Sequence, residues 1–475
     1  MSATVVVTRF APSPTGALHL GNARTALFCC LLARHHGGRF LLRIEDSDPA
    51  RSSEAHTAAL VEDLRWLDLH WEAGPGSTAP PESWRQSTRR AIYDEHLAQL
   101  SARGAAYPCF CTPAELEVSR RKQIAAGKPP RYAGTCRDLD AAGRAAASTA
   151  GRSPAWRFRV PQGRRLQFED LVHGPQSIAT DDIGDFILQR EDGTAAFFFC
   201  NALDDALMGV THVLRGEDHL SNTPRQLLIL EALGLQAPRY GHVALLTGAD
   251  GTPLSKRHGA TSLREYREHG YAPLALCNHL FRLGHSCPDN ALLTLDEMAE
   301  RFDPARLQRA PARFDPVQLD HWQSMWVRGA DAAATRAWLG PALDAVPVDR
   351  QEAFLEAVLP NVIVAEDARF WADVIHGSGV EPDPEAHAAI RRAGPDFFAA
   401  AAAAVGETAD VAALRSATGA KGAALFAPLR AALTGRLHGP DFAALLRLMS
   451  GETVRARLLA HASTGGIRGT HAQDP

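Results

Sequence analysis

The sequence predicts a parallel α/β domain with helices on both faces of its sheet, interrupted by an α+β insertion and followed by an all-α remainder. Three observations predict it. Apolar strand-like runs alternate with helical periodicity from Val5 onward, the order that builds parallel sheets. Short strands and turns replace that rhythm between 109 and 199. From Tyr266 the reading is almost entirely helical, and alanine becomes dominant. A chain of 475 residues is too long for one ordinary core, so several domains are expected. Hydrophobic and charged contents of 45% and 22% are those of a globular protein. The net charge of −4 announces no nucleic-acid partner, so any basic surface must be local. No uninterrupted apolar stretch approaches the roughly 18 residues of a membrane span. No charged–apolar–cleavage pattern precedes the first strand. Eight cysteines without a regular framework read as reduced thiols, and the expected compartment is the cytoplasm. Among them Cys29 and Cys30 fall in the first helix and read as packing residues.

Each element follows in order. Val5-Val6-Val7 is a β-branched run that reads as a buried strand. After Gly21, Ala23, Ala26, Leu27, Cys30, Leu31 and Ala33 recur at helical spacing, and Gly37-Gly38 stops the run. Phe40–Ile44 reads as the second strand, ending in Glu45-Asp46, and a helix begins near Ser53. A helix over Ser87–Arg103 leads to the insertion, where Trp156–Val160 and Asp185–Gln189 read as strands and Asp192-Gly193 as a hairpin turn. The α/β rhythm resumes with the strand Val210–Leu214, a helix over Pro224–Leu233 and the strand His242–Leu246. An Asp250-Gly251 turn then leads to Leu254-Ser255-Lys256-Arg257-His258-Gly259. Beyond Tyr266, the stretches Phe397–Val405 and Val411–Leu433 read as bundle helices, because Leu and Phe recur among the alanines at helical spacing.

Two stretches carry chemistry. Between the first strand and helix lie Pro12, Pro14, Gly16, His19 and Gly21. A tight loop feeding a helix N-terminus is a phosphate site, because the first turn has unpaired N–H groups and partial positive charge. Lys256, with Arg257 beside it, lies on a loop after a strand, where a cation suits the charge that builds on a transferring phosphoryl group. Separately, each reads equally well as a surface feature. Together, and with R-F-A-P-S-P-T-G, L-L-R-I-E-D, T-H-V-L-R-G-E-D-H-L-S-N-T-P-R-Q and L-S-K-R-H-G-A in the same order, the chain closely resembles the class I aminoacyl-tRNA synthetases, and within them the bacterial glutamyl-tRNA synthetases. Pro12–Asn22 is similar to that family's HIGH signature and Leu254–His258 to its KMSKS loop.

The resemblance implies a nucleotide-binding (Rossmann-like) catalytic domain over 1–108 and 200–260, an acceptor-binding insertion over 109–199, a stem-contact region over 261–330 and an anticodon-binding region over 331–475. It implies a two-step reaction: glutamate and ATP give glutamyl-adenylate, and the acyl group passes to the terminal ribose of tRNA-Glu. Magnesium would accompany the phosphates. By the same resemblance His19, Gly21 and Lys256 are catalytic, and Pro12, Asn22 and Arg257 join them around ATP. Arg9 and Arg215 would bind the glutamate side chain, since arginine offers a carboxylate a bidentate fork. Glu45 would hold the α-amino group with Ser13 and the Ala11 carbonyl, and Asn201 and Phe197 complete the pocket.

The chain departs from the family where tyrosine is frequent and Phe197 stands, where the first KMSKS lysine is Pro253, and where the last HIGH histidine is Asn22. Cys109-x-Cys111, twenty-four residues, then Cys136-x-Asp138 resembles the zinc site of one branch. Three thiolates suit tetrahedral zinc. Asp138 stands where the branch has histidine, and Tyr132 competes as the fourth ligand, as in glutamyl-queuosine enzymes. The helical region beyond 330 argues against a glutamyl-queuosine tRNA synthetase and against the β-barrels of a glutaminyl enzyme. The intact His19, Glu45, Arg9, Arg215 and Lys256 argue against an inactive tRNA-binding paralogue. Charging of tRNA-Gln as well as tRNA-Glu stays open; Leu359-Pro360-Asn361 carries no arginine where discriminating members place one. A monomer is expected.

Overall fold

The computed structural model describes residues 5–48, 51–254, 262–377 and 379–462. They fall into two compact units, one of 1–266 with 276–316 and one of 267–275 with 317–475.

The first unit contains the strands β1 (Val7–Phe10), β2 (Arg39–Leu42), β3 (Ala106–Cys109), β4 (Ala155–Phe158), β5 (Arg165–Asp170), β6 (Gly174–Ala179), β7 (Phe186–Gln189), β8 (His212–Gly216), β9 (Arg239–Val243), β10 (Leu246–Thr247) and β11 (Ala312–Arg313). Six of them form one sheet in the order β2-β1-β8-β9-β5-β6. Neighbours from β2 to β5 run parallel, and β6 closes the edge as the antiparallel arm of a hairpin with β5. The β5–β6 hairpin therefore extends the main sheet, joining β9 through Asp170 opposite Tyr240. From β1 the chain proceeds outward to β2 on one side and, much later, to β8 on the other. That reversal opens a crevice at the carboxyl ends of β1 and β8, where ligands bind in open α/β sheets.

All four residues of β1 are buried, as a central strand requires, but the strand starts later than the run Val5-Val6-Val7 suggests: pairing with β2 begins at Val7, which leaves Val5 exposed and Val6 half-buried. The helix Leu20–His35 is buried at most positions from Leu20 to Ala33, and Cys29 and Cys30 are among the buried residues. It stops at Gly37, whose φ of +57° is left-handed. A Cβ at Gly38 would overlap the Val6 carbonyl oxygen. Glycine there lets the chain turn back at once, so that the Arg39 N–H bonds Val6 at 2.8 Å and β2 pairs with β1. Ser53 caps the helix Glu54–Trp66 by accepting the His56 N–H at 3.2 Å.

Strand limits differ from the sequence reading in the second half. The strands read at Val210–Leu214 and His242–Leu246 are found at His212–Gly216 and Arg239–Val243. Pairing with β9 carries β8 past its apolar run and into Arg215-Gly216. At Asp192-Gly193 the turn forms, with Asp192 accepting the Thr194 N–H at 2.8 Å. The returning arm is only the bridge between Gln189 and Ala195, because the helix Phe197–Leu207 starts directly after it. The remaining insertion strands make a separate antiparallel sheet, β3-β4-β7.

The second unit is helical among its described residues, around a core that includes Phe354, Trp371, Phe398, Leu414, Leu425 and Leu445. The alanine-rich stretch read as helical over Val411–Leu433 forms two helices, Val411–Thr418 and Ala423–Thr434. Gly419 and Gly422 separate them with φ of +64° and +57°, a conformation a continuing helix cannot contain. Arg457, buried in the helix Gly451–Leu459, ties two helix ends together. Its guanidinium donates to Val374 and Leu433 carbonyls, each at 2.6 Å, and to Gly377 at 2.8 Å.

Candidate active site

The crevice at the ends of β1 and β8 is a cleft of about 410 Å³. It is lined by Arg9, Ala11, Pro12, Ser13, His19, Gly21, Asn22, Glu45, Phe197, Asn201 and Arg215, residues scattered over the first 215 positions. Every nucleotide- or glutamate-site candidate among the described residues thus lines one cleft. Lys256 and Arg257 lie outside the described residues. A larger, more open hollow of about 690 Å³ in the second unit, beside Gly406, Ser450 and Arg455, has no comparable convergence of buried charge.

One wall is the start of the helix Leu20–His35. His19 occupies its N-cap position in extended backbone, and its side chain makes no capping bond. The ring lies beside Gly21: a Cβ there would meet only Nδ1 and Cε1 of His19, at 3.4 and 3.5 Å. Those are ordinary contacts, so the fold itself does not require glycine at 21. Burial lowers the His19 pKa, which keeps the imidazole neutral and able to donate one N–H to an anion.

The opposite wall is a buried network of charge. Asp205 accepts Arg9 Nε at 3.0 Å and Arg43 Nη1 at 2.6 Å. Burial alone would raise the Asp205 carboxyl, but Arg43 and Arg9 outweigh it and hold the group below its ordinary value. Arg43 also donates to Glu45 at 3.1 Å, and Asn201 Nδ2 donates to the same Glu45 oxygen at 2.6 Å. Burial pushes the Glu45 carboxyl above its ordinary value, with Arg43 and Arg9 pulling the other way. An incoming ammonium group would add to that pull and keep Glu45 ionised. Asn201 is itself oriented by Gln226, whose Nε2 donates to Asn201 Oδ1 at 2.7 Å.

Arg215 differs from the other two arginines: among the described residues it has no carboxylate partner. Its Nη2 donates to Thr223 Oγ1 at 2.8 Å and Gln226 Oε1 at 2.7 Å, and its Nε to His242 Nε2 at 3.1 Å. Its Nη1 is buried without a partner. Burial depresses its pKa to about 10, against a weaker pull from Asp205 and Glu45. A cation held this way, on the wall of a cleft, is a ready-made site for a carboxylate.

Phe197 opens the helix Phe197–Leu207, and its ring lies 5.4 Å from that of His219. Asp46, next to Glu45 in sequence, faces elsewhere; it accepts the Ser87 N–H at 2.9 Å and hydroxyl at 2.8 Å. Pro253 stands at the end of a hairpin, bridged to Thr247, with the Leu254 N–H on Leu246 at 3.0 Å. Residues missed by sequence reasoning are Arg43, Asp205, Gln226, His242 and Asp170. Asp205 sits in a helix that otherwise reads as apolar core, and His242 within a strand, so neither stands out by spacing.

Away from the cleft, Cys109, Cys111 and Cys136 bring their sulfurs within 4.8 Å of one another. The Tyr132 hydroxyl is 3.4 Å from Cys109 Sγ and 3.6 Å from Cys111 Sγ, and it accepts the Cys136 N–H at 2.8 Å. Asp138 is not with them. Its carboxylate is exposed and takes Arg159 at 2.8 Å, so of the two candidate fourth ligands the structure brings up Tyr132.

The sequence matches the family model of tRNA synthetases class I (E and Q), catalytic domain, over residues 5–321, and an anticodon binding domain over 399–462. It is 55% identical to glutamate–tRNA ligase 2 of Nitrosococcus oceani, covering 96% of this chain and 98% of that one. It is 52% identical to glutamate–tRNA ligase 1 of Halorhodospira halophila, covering 100% of both. The fold is similar to the crystal structure of the glutamate-tRNA synthetase from Elizabethkingia anophelis, with a TM-score of 0.83 at 29% identity, over 96% of this chain and 99% of that one. With the matched catalytic model spanning most of its length and its charged cleft at the expected switch of the sheet, the chain belongs to the class I tRNA synthetases of the E and Q group.

Proposed function

We infer that the chain is a glutamate–tRNA ligase, and that the cleft is where glutamate is activated. It is an aminoacyl-tRNA synthetase that uses ATP, glutamate and tRNA. In the first step a glutamate α-carboxylate oxygen bonds the α-phosphorus of ATP and pyrophosphate leaves. In the second, a hydroxyl of the terminal tRNA ribose attacks the activated carbonyl and AMP leaves. Neither step needs a covalent intermediate on the protein, so positioning and charge stabilisation supply the rate. Magnesium bound with ATP would neutralise phosphate charge.

The observation that carries the reading is Arg215, a buried guanidinium whose Nη1 has no hydrogen-bond partner and which pairs with no carboxylate among the described residues. The glutamate side-chain carboxylate supplies that anion, with Arg9 beside it. Glu45 takes the α-ammonium group, near Ser13 and the Ala11 carbonyl. Asn201 acts mainly by orienting Glu45. His19 and the first N–H groups of the helix Leu20–His35 take phosphate oxygens, with Pro12, Gly21 and Asn22 shaping that wall. Lys256 and Arg257 supply the remaining cations. Phe197 closes the pocket with apolar surface where a hydroxyl is frequent.

The inserted segment takes the acceptor end of tRNA, 261–330 the stem and the helical unit the anticodon. Cys109, Cys111, Cys136 and the Tyr132 hydroxyl would hold one structural zinc ion, a donor set rich in the sulfur that zinc prefers.

ATP–pyrophosphate exchange at saturating tRNA tests the site. Arg215→Ala should raise the KM for glutamate by about 100-fold, the worth of a charge-assisted bond pair. An unchanged KM would remove Arg215 from the glutamate site. Aminoacylation of tRNA-Glu and tRNA-Gln side by side defines the tRNA range.

A further inference from the structure

Behind Arg215 lies a second buried pair that the reaction steps do not use. His242 on β9 is fully buried, and so is Asp170 at the end of β5. Asp170 Oδ2 accepts His242 Nδ1 at 2.5 Å. Its other oxygen accepts the backbone N–H groups of Val172 and His173, both at 2.9 Å, and of His242 at 3.3 Å. The acid is thus saturated as an acceptor, and Nδ1 must carry the imidazole proton. Nε2 is left as a lone-pair acceptor. It faces Arg215 Nε at 3.1 Å and the Thr223 hydroxyl at 3.1 Å. The Tyr240 ring stacks on the imidazole at 6.4 Å and lies 5.1 Å from the Arg215 guanidinium. The other titratable neighbours of His242 are His173 and His219.

We propose that Asp170 and His242 are positioning residues for Arg215: the acid fixes the imidazole tautomer, and the imidazole nitrogen holds the guanidinium so that Nη1 faces the cleft. Three adjacent strands, β5, β9 and β8, carry the three side chains. The hairpin that enters the sheet from the insertion therefore sets the aim of the amino-acid-binding arginine. Burial keeps the imidazole neutral, consistent with that acceptor role.

The inference rests on Arg215 binding the glutamate side chain, and the experiment separates the two. Asp170→Asn keeps shape, and its oxygen can keep the backbone bonds. Its amide then presents an N–H to Nδ1, which forces the proton onto Nε2 and sets two donors against each other at Arg215. Asp170→Asn and His242→Phe should each raise the glutamate KM by about tenfold or more, the loss of one bond to a charged group, with the KM for ATP unchanged. His242→Gln, which restores an acceptor near the Nε2 position, should recover most of the loss. Equal rises in both KM values, no rise in Asp170→Asn, or no recovery with Gln would overturn the dyad. If Arg215→Ala leaves the glutamate KM unchanged, both readings fall. If it raises it while Asp170→Asn does not, only the dyad falls.

Discussion

Gly21 shows how a single residue separates fold from function. The protein would tolerate a methyl group there at ordinary contact distance from His19, yet the position forms the wall of the cleft. Gly21→Ala should therefore melt within about 2 °C of the parent, since nothing buried is disturbed. Its kcat/KM for ATP should fall on the order of 100-fold, the effect of a reacting group displaced by roughly 1 Å. Thermal melts and pyrophosphate exchange check the two halves together. That Arg9, His19, Glu45 and Arg215 share one cleft was legible because each sits in an ordered motif at a strand or helix end. Asp205, Gln226, His242 and Asp170 were not, because their chemistry comes from partners distant in sequence: Asp205 meets Arg9 across 196 residues and Asp170 meets His242 across 72.

At the scale of elements, periodicity located most helices, and stop signals decided where they end. Gly37 was legible as a stop; Gly419 and Gly422 were not, because the alanine-rich run around them keeps helical spacing on both sides. Only the backbone angles divide it. The ends of the second-unit helices are held in the same tertiary way, by Arg457 on the carbonyls of Val374, Leu433 and Gly377. Arg457→Met should preserve side-chain volume but leave those buried carbonyls unpaired. A loss of about 3 kcal/mol is expected from urea denaturation of the full chain. A loss below about 0.5 kcal/mol, the scale of a surface change, would mean that the arginine is not a clasp.

Across the molecule, buried histidines tie stability to pH. His285 is stacked between Phe281 and Phe302, at 4.6 and 5.3 Å, and His279 lies edge-on to Phe314 at 5.1 Å. Burial lowers both pKa values to about 4. Unfolded, each titrates near 6.5, so between these values the unfolded chain binds more protons and stability is lost as pH falls. From pH 7 to pH 5 each should cost about 2 kcal/mol. His285→Phe should remove its share of the slope, measured as urea midpoints at the two pH values, although it loses the Asp303 N–H bond at 3.2 Å and starts lower at pH 7. The cysteine cluster gives a second whole-molecule test. A chelator that strips zinc should lower the melting temperature and impair aminoacylation more than adenylate formation. Tyr132→Phe should weaken metal retention, measured by elemental analysis, while Asp138→Asn should leave it unchanged.

The amino-acid order alone determined the architecture and most of the residues that line the cleft at the ends of β1 and β8. Those features depend on local rules: apolar period, helix starts and stops, and motifs whose residues act at their own strand end. Only the tertiary structure decided which buried acid holds which arginine, that Tyr132 rather than Asp138 faces the thiols, and that the inserted hairpin reaches β9 to place Asp170 behind His242. Such pairings depend on strand register across the sheet, and register is settled by packing between segments that the linear order keeps far apart.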